Sequence, residues 1–172
     1  MVIEEKVYVY NFQHLELADS FATYKNPAGL VSLSIAEDNC VLAFPDEKVG
    51  HAKIVKQGNS QKEPLTVKCH DSPLAVIKLS QDGNILVTAS DKGTLLRVFD
   101  TETGEKINEV RRGADQAVIT DITIDSANHF MACCSDKGTV HVFSLKPQVE
   151  NKKSNLSALS GVVGYFGSTW SF

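Results

Sequence analysis

The sequence predicts an all-β chain built as part of a propeller. Three observations carry this: a repeat of about 45 residues, short β-branched runs that alternate apolar and polar side chains, and turn residues punctuating those runs. "NILVTASDKGTLLRVFD" (84–100) parallels "HFMACCSDKGTVHVFSL" (129–145), with SDKGT recurring from Ser90 to Ser135. A third, weaker copy is "NCVLAFPDEKVGHAKIV" (39–55), in which Ala43 is matched to Ala89. A period of this length made of short strands is that of a propeller blade.

Taken in order, each copy is preceded by a further apolar strand: "GLVSLSIAEDN", "PLAVIKLSQDGN" and "VITDITIDSANH". Gln81-Asp82-Gly83, Asp91-Lys92-Gly93 and Asp136-Lys137-Gly138 supply hairpin turn chemistry. No segment before residue 150 combines helix caps with a long 3.6-residue pattern. The two best copies differ in length: one extra residue lies between Thr94 and Arg97 relative to Thr139 and His141. Two readings fit, a β-bulge that re-aims Arg97 and a plain difference in turn length. "KVYVYNF" opens mid-blade and "STWSF" stops as a strand begins, so the chain is expected to be part of a longer propeller or an incomplete product.

Composition bounds the function. The 172 residues carry a net charge of −4, with 42% hydrophobic and 22% charged residues, which fits a globular domain and argues against broad electrostatic binding to nucleic acid. An anion site must therefore be local. Cys40, Cys69, Cys133 and Cys134 form no CxxC pair and read as buried thiols of a reducing compartment. The N-terminus has no signal-sequence pattern, and no run nears the ~18 apolar residues of a membrane span. The expectation is a cytoplasmic protein whose membrane contact is peripheral. His14, His51, His70, His129 and His141 are scattered, and no nucleophile, metal or nucleotide-loop signature appears. No catalytic residue, cofactor or metal is expected.

The candidate site is "EKINEVRRG", which ends in Arg111, Arg112 and Gly113. This run reads as the outer strand of a blade. Successive side chains of a strand point to opposite faces, so the two arginines face different crevices and serve two ligands. A guanidinium fork suits phosphate oxygens. Gly113 would let the chain turn sharply and let a ligand approach the backbone. A solvated basic turn, paired with Glu102, Glu105 or Glu109, is the plain alternative. The same crevices can draw on His70, Thr94 and Arg97 on one side and on Ser135, Thr139 and His141 on the other.

Here the chain resembles the PROPPIN family, the WD-repeat proteins interacting with phosphoinositides, which carry Phe-Arg-Arg-Gly or Leu-Arg-Arg-Gly between such repeats. In this chain the motif stands as Val110-Arg111-Arg112-Gly113, and "NPAGLVSLS", "CHDSPLAVIKLSQDGNILVTASDKGTLLRVFDTETGEK" and "SDKGTVHVFSLK" are similar in the same order. The resemblance implies a seven-bladed WD-type β-propeller of which residues 1–26 end blade 3, 27–71 form blade 4, 72–113 blade 5 and 114–172 blade 6. It implies one headgroup site from His70, Thr94, Arg97 and Arg111, and a second from Arg112, Ser135, Thr139 and His141. The ligands implied are phosphatidylinositol 3-phosphate and 3,5-bisphosphate on phagophore, endosomal or vacuolar/lysosomal membranes, and the protein partners are autophagy lipid-transfer or conjugation-machinery proteins. A WD-repeat interaction scaffold without lipid binding is the alternative.

After Lys146 the texture changes. Leu156, Leu159, Val163 and Phe166 recur at helical spacing, with Lys152 and Lys153 ahead of them. That pattern fits a membrane-surface helix, and a polar loop between strands fits the composition too. The resemblance implies a membrane-inserting loop at about 146–168, with Leu156, Leu159, Val162, Val163, Tyr165 and Phe166 as its apolar residues.

Overall fold

The computed structural model describes residues 1–57 and 63–146, and the backbone of 170–171. The described residues form strands and turns, with no helix. The strands are β1 (Val2–Ile3), β2 (Lys6–Tyr10), β3 (Leu17–Ala22), β4 (Ser32–Leu33), β5 (Val41–Pro45), β6 (His51–Lys56), β7 (Leu65–Lys68), β8 (Leu74–Leu79), β9 (Ile85–Ser90), β10 (Leu95–Asp100), β11 (Lys106–Arg111), β12 (Ile119–Ile124), β13 (Phe130–Ser135), β14 (Val140–Ser144) and β15 (Trp170–Ser171). They pair antiparallel, each with its sequence neighbour, into four successive meanders: β1–β3, β4–β7, β8–β11 and β12–β15, hereafter sheets 1 to 4. The first strands of sheets 2, 3 and 4 are neighbours across the sheets.

Side-chain alternation builds the packing. On β10, Leu96 and Val98 point one way, while Arg97 and Phe99 point the other. Leu96 and Val98 join Val110, Ile122, Met131, Cys133 and Phe143 in a core between sheets 3 and 4. Phe99 joins Leu86, Ile54, Val67 and Cys69 in a core between sheets 2 and 3. A smaller core of Val7, Leu42 and Phe44 joins sheets 1 and 2, with the Phe21 and Phe44 rings 5.2 Å apart. Fully burying one such side chain is worth roughly 1.5–3 kcal/mol, so the two larger clusters bind sheets 2, 3 and 4 most strongly.

A belt of amides ties the same three sheets at their first turns. Asn39 Nδ2 donates to the Asp82 carbonyl at 2.8 Å and to Asn84 Oδ1 at 3.0 Å. Asn128 Nδ2 donates to Asp82 Oδ2 at 2.7 Å. The carboxylate of Asp82 also accepts from Ser80 and Asn84, and these donors hold it below the usual carboxylate range against the cost of its burial.

The repeat differs from its sequence alignment in two places. Ser34 and Ser80 hold equivalent positions, each hydroxyl accepting from the backbone N–H of the residue that opens the next strand, Val41 or Ile85. The first turn of sheet 2 is therefore the longer one. It places Pro45, not Ala43, opposite Ala52 where Ala89 stands opposite Leu96. In the second place, the extra residue before Arg97 lies in the β9–β10 turn. The pairing of Leu96 through Asp100 on β9 is unbroken, and the register shift of β10 against β11 falls later, between Val98 and Phe99. No bulge re-aims Arg97. It sits opposite Thr88 as His141 sits opposite Cys133.

Candidate functional site

Among the described residues, β11 is the outer strand of sheet 3 and pairs only with β10. Arg111 stands opposite Leu95, Val110 opposite Leu96 and Glu109 opposite Arg97. Cross-strand partners share a face. Arg111, Glu109, Arg97 and Thr88 therefore lie on the face turned to sheet 2, and Val110 lies on the face turned to sheet 4. Arg112 follows the strand end, but its N–H still bonds the Thr94 carbonyl at 2.9 Å, so the alternation continues through it. Its guanidinium goes to the sheet 4 side, where its charge is felt by Cys133 and His141.

The crevice between sheets 2 and 3 holds His70, Arg97 and Thr88. His70 is only 4% exposed, and its Nε2 lies 3.1 Å from Thr88 Oγ1. Burial and then the charge of Arg97 lower its pKa to about 4, so the imidazole is neutral near pH 7. Arg97 donates from Nη1 to the Cys69 carbonyl at 2.5 Å and from Nε to Glu109 Oε2 at 2.8 Å. Burial pushes the Cys69 thiol up to about 11, keeping it protonated. Thr94 is half-buried at the head of β10, and Arg111 is exposed, with Nε donating to the Gly113 carbonyl at 3.3 Å.

The crevice between sheets 3 and 4 holds Arg112, Ser135, Thr139 and His141. Ser135 and His141 lie on the face turned to sheet 3, in step with the core residues Met131, Cys133 and Phe143. Thr139 Oγ1 and His141 Nε2 are 3.1 Å apart, and burial followed by the Arg112 charge lowers the pKa of His141. Arg112 is 5% exposed. Its Nε donates to the Gly93 carbonyl at 2.8 Å and its Nη2 to the Asp115 carbonyl.

Among the described residues, the side-chain hydrogen bonds of Arg111 and Arg112 run to backbone carbonyls; the carboxylates go elsewhere, Glu102 to Lys56 and Glu109 to Arg97 and Lys106. Gly93, at φ +61, turns the β9–β10 hairpin so closely under the 113–118 loop that a Cβ there would lie 1.8 Å from the Ala117 carbonyl. Gly113 behaves differently from its expected role as a sharp turn. It has no left-handed φ, and a Cβ would meet nothing within 4 Å. Thr88 and Glu109 were not among the expected site residues. The signal for Glu109 was present, since it lies two positions before Arg111 on a strand and hence on the same face.

A cavity of about 210 Å³ lies apart from both crevices, lined by Tyr24, Lys25, Asp46 and His51 among others. Residues 156–166 lie outside the described residues, so the six apolar positions expected to meet a membrane have no structural account.

Comparison with known proteins identifies the family and the fold. The family model described as PROPPIN matches residues 1–170. The chain is 37% identical to Autophagy-related protein 18e of Arabidopsis thaliana over 87% of its own length and 39% of that protein. It is 33% identical to WD repeat domain phosphoinositide-interacting protein 1 of Homo sapiens, over 94% and 37% of the two chains. It thus spans well under half the length of these curated relatives. Its fold is similar to that of Kluyveromyces lactis Hsv2, with a TM-score of 0.71 at 24% identity, covering 100% of this chain and 55% of that one. The four sheets are blades of a WD-type β-propeller, and the chain belongs to the PROPPIN family.

Proposed function

We propose that this chain carries two headgroup sites of a peripheral membrane propeller that recognises phosphatidylinositol 3-phosphate, 3,5-bisphosphate or both, and recruits autophagy machinery to those membranes. The observation that carries the reading is the division of Arg111 and Arg112 between two crevices, each with a buried histidine and a hydroxyl within reach of it. In this reading sheets 1 to 4 are blades 3 to 6. Arg111 with His70, Thr94 and Arg97 takes one phosphorylated headgroup, and Arg112 with Ser135, Thr139 and His141 takes the other. Neutral imidazoles in both crevices leave the arginines as the fixed charges and the hydroxyls as donors that reorient. Two weak sites on one rigid sheet then act together through effective concentration, assisted by the 146–168 segment at the bilayer surface. The names of the relatives, autophagy-related and phosphoinositide-interacting, support the ligand and partner classes.

Sedimentation with vesicles containing phosphatidylinositol 3-phosphate tests this. Arg111→Ala and Arg112→Ala should each weaken binding about tenfold, the scale of one charged hydrogen bond, and the double variant should abolish it. A double variant that sediments as the unaltered chain does would remove the lipid assignment. It would favour the scaffold reading, for which the carbonyl bonds of Arg112 provide a purely structural role.

A further inference from the structure

The two crevices differ in one respect that neither the repeat nor the motif explains. In the crevice between sheets 2 and 3 the arginine already has an anion. Glu109 Oε2 accepts from Arg97 Nε at 2.8 Å and from Lys106 Nζ at 2.9 Å. Lys106 and Arg97 together hold the Glu109 carboxyl below its ordinary range, so it is charged at neutral pH. Glu109 and Arg111 are two positions apart on one face of β11, a spacing of roughly 6.6 Å along the strand. The carboxylate thus holds Arg97 directly and shares its face of the strand with Arg111, the other arginine of the proposed site. Across the sheet, the side-chain hydrogen bonds of Arg112 go to carbonyl oxygens and His141 meets the hydroxyl of Thr139.

We propose that Glu109 is a specificity determinant of the site around Arg97 and Arg111: a resident counter-anion that a phosphomonoester displaces and a phosphodiester does not. This rests on the headgroup reading above. A monoester carries −1.5 to −2 charges near neutral pH, a diester carries one, and the carboxylate also carries one. Only the monoester gains enough from two guanidinium groups to outcompete the carboxylate. Displacement leaves no stranded charge, because the same carboxylate oxygen keeps its ion pair with Lys106, whose side chain is 46% exposed. Glu109 itself is 34% exposed, so the movement needs no rearrangement of the core. Among the described residues, the side-chain hydrogen bonds of Arg112 beyond this face go to carbonyls, so the filter is assigned to the Arg111 site alone.

The test is calorimetric titration of the full chain carrying Arg112→Ala, so that the Arg111 site is read alone. The probes are inositol 1,3-bisphosphate, whose two phosphates are both monoesters, and glycerophosphoinositol, which bears only a diester. Adding Glu109→Gln should tighten the first probe roughly threefold to tenfold, the effect shrinking at high salt, and should make binding of the second measurable. Glu109→Ala should do the same. If Gln leaves affinity unchanged or weakens it, or if Ala weakens binding while Gln restores it, Glu109 only positions Arg97 and the proposal is overturned. That failure is distinct from failure of the site itself, which would appear as no loss of binding on adding Arg111→Ala and would remove both. The same ordering with vesicles of phosphatidylinositol 3-phosphate assigns the filter to a lipid headgroup; an ordering seen only with soluble probes assigns it to free inositol phosphates.

Discussion

Acidification from pH 7 to pH 5 should destabilise this chain through His70. The imidazole is 4% exposed and lies beside the Arg97 guanidinium. Burial and that charge lower its pKa from 6.5 to about 4, outweighing the opposing pulls of Thr88, Glu109 and Asp71. The unfolded chain therefore takes up the proton first. Stability from this group is fully present above about pH 6.5 and is lost as pH falls toward 4. At pH 5 the unfolded histidine is almost fully protonated and the folded one hardly at all, which by linkage amounts to roughly 2 kcal/mol. That is a large fraction of a typical domain's 5–15 kcal/mol. The assay is urea unfolding at pH 7 and pH 5, comparing the chain with His70→Gln, which keeps a polar partner for Thr88. The unaltered chain should lose about 2 kcal/mol more than the variant between the two pH values. His141, lowered in the same direction, is present in both and cancels. Equal losses would refute the account of a neutral, buried imidazole.

Other outcomes follow from the turns and from the 146–168 segment. Gly93→Ala forces a side chain into a left-handed backbone and against the Ala117 carbonyl; it should cost about 2–4 kcal/mol, read as a lowered urea midpoint, while Gly113→Ala, which meets nothing, should leave the midpoint nearly unchanged. Val163→Asp with Phe166→Asp should spare binding of a soluble headgroup and abolish binding to vesicles. Equal loss of both would assign those residues to the fold.

The strand pattern made the fold and the central division of the site readable. SDKGT marked equivalent turns, and the period-2 rule alone placed Arg111 and Arg112 on opposite faces. What was not readable depends on contacts between distant segments. The longer first turn of sheet 2 moved the alignment from Ala43 to Pro45 because its length is absorbed before the strand begins. The hydrogen bond from Arg97 to the Cys69 carbonyl joins two sheets, and no local spacing announces it. The burial of Arg112 under Gly93 and Asp115 likewise arises from the return of the 113–118 loop over a hairpin. Gly113 shows the converse, where composition suggested a turn constraint that the backbone does not have.

The amide belt through Asn39, Asp82 and Asn128 reaches only three of the four sheets. Sheet 1 leans on the smallest cluster and leaves Phe12 92% exposed. The molecule should therefore open in two stages on the hydrogen-exchange timescale: amides of β2 and β3 should exchange through a local opening that leaves the rest protected, while those of β9 and β13 should wait for a single concerted event. The two proposed headgroup sites lie wholly within the late-opening part, so fraying at the first sheet should leave their geometry intact.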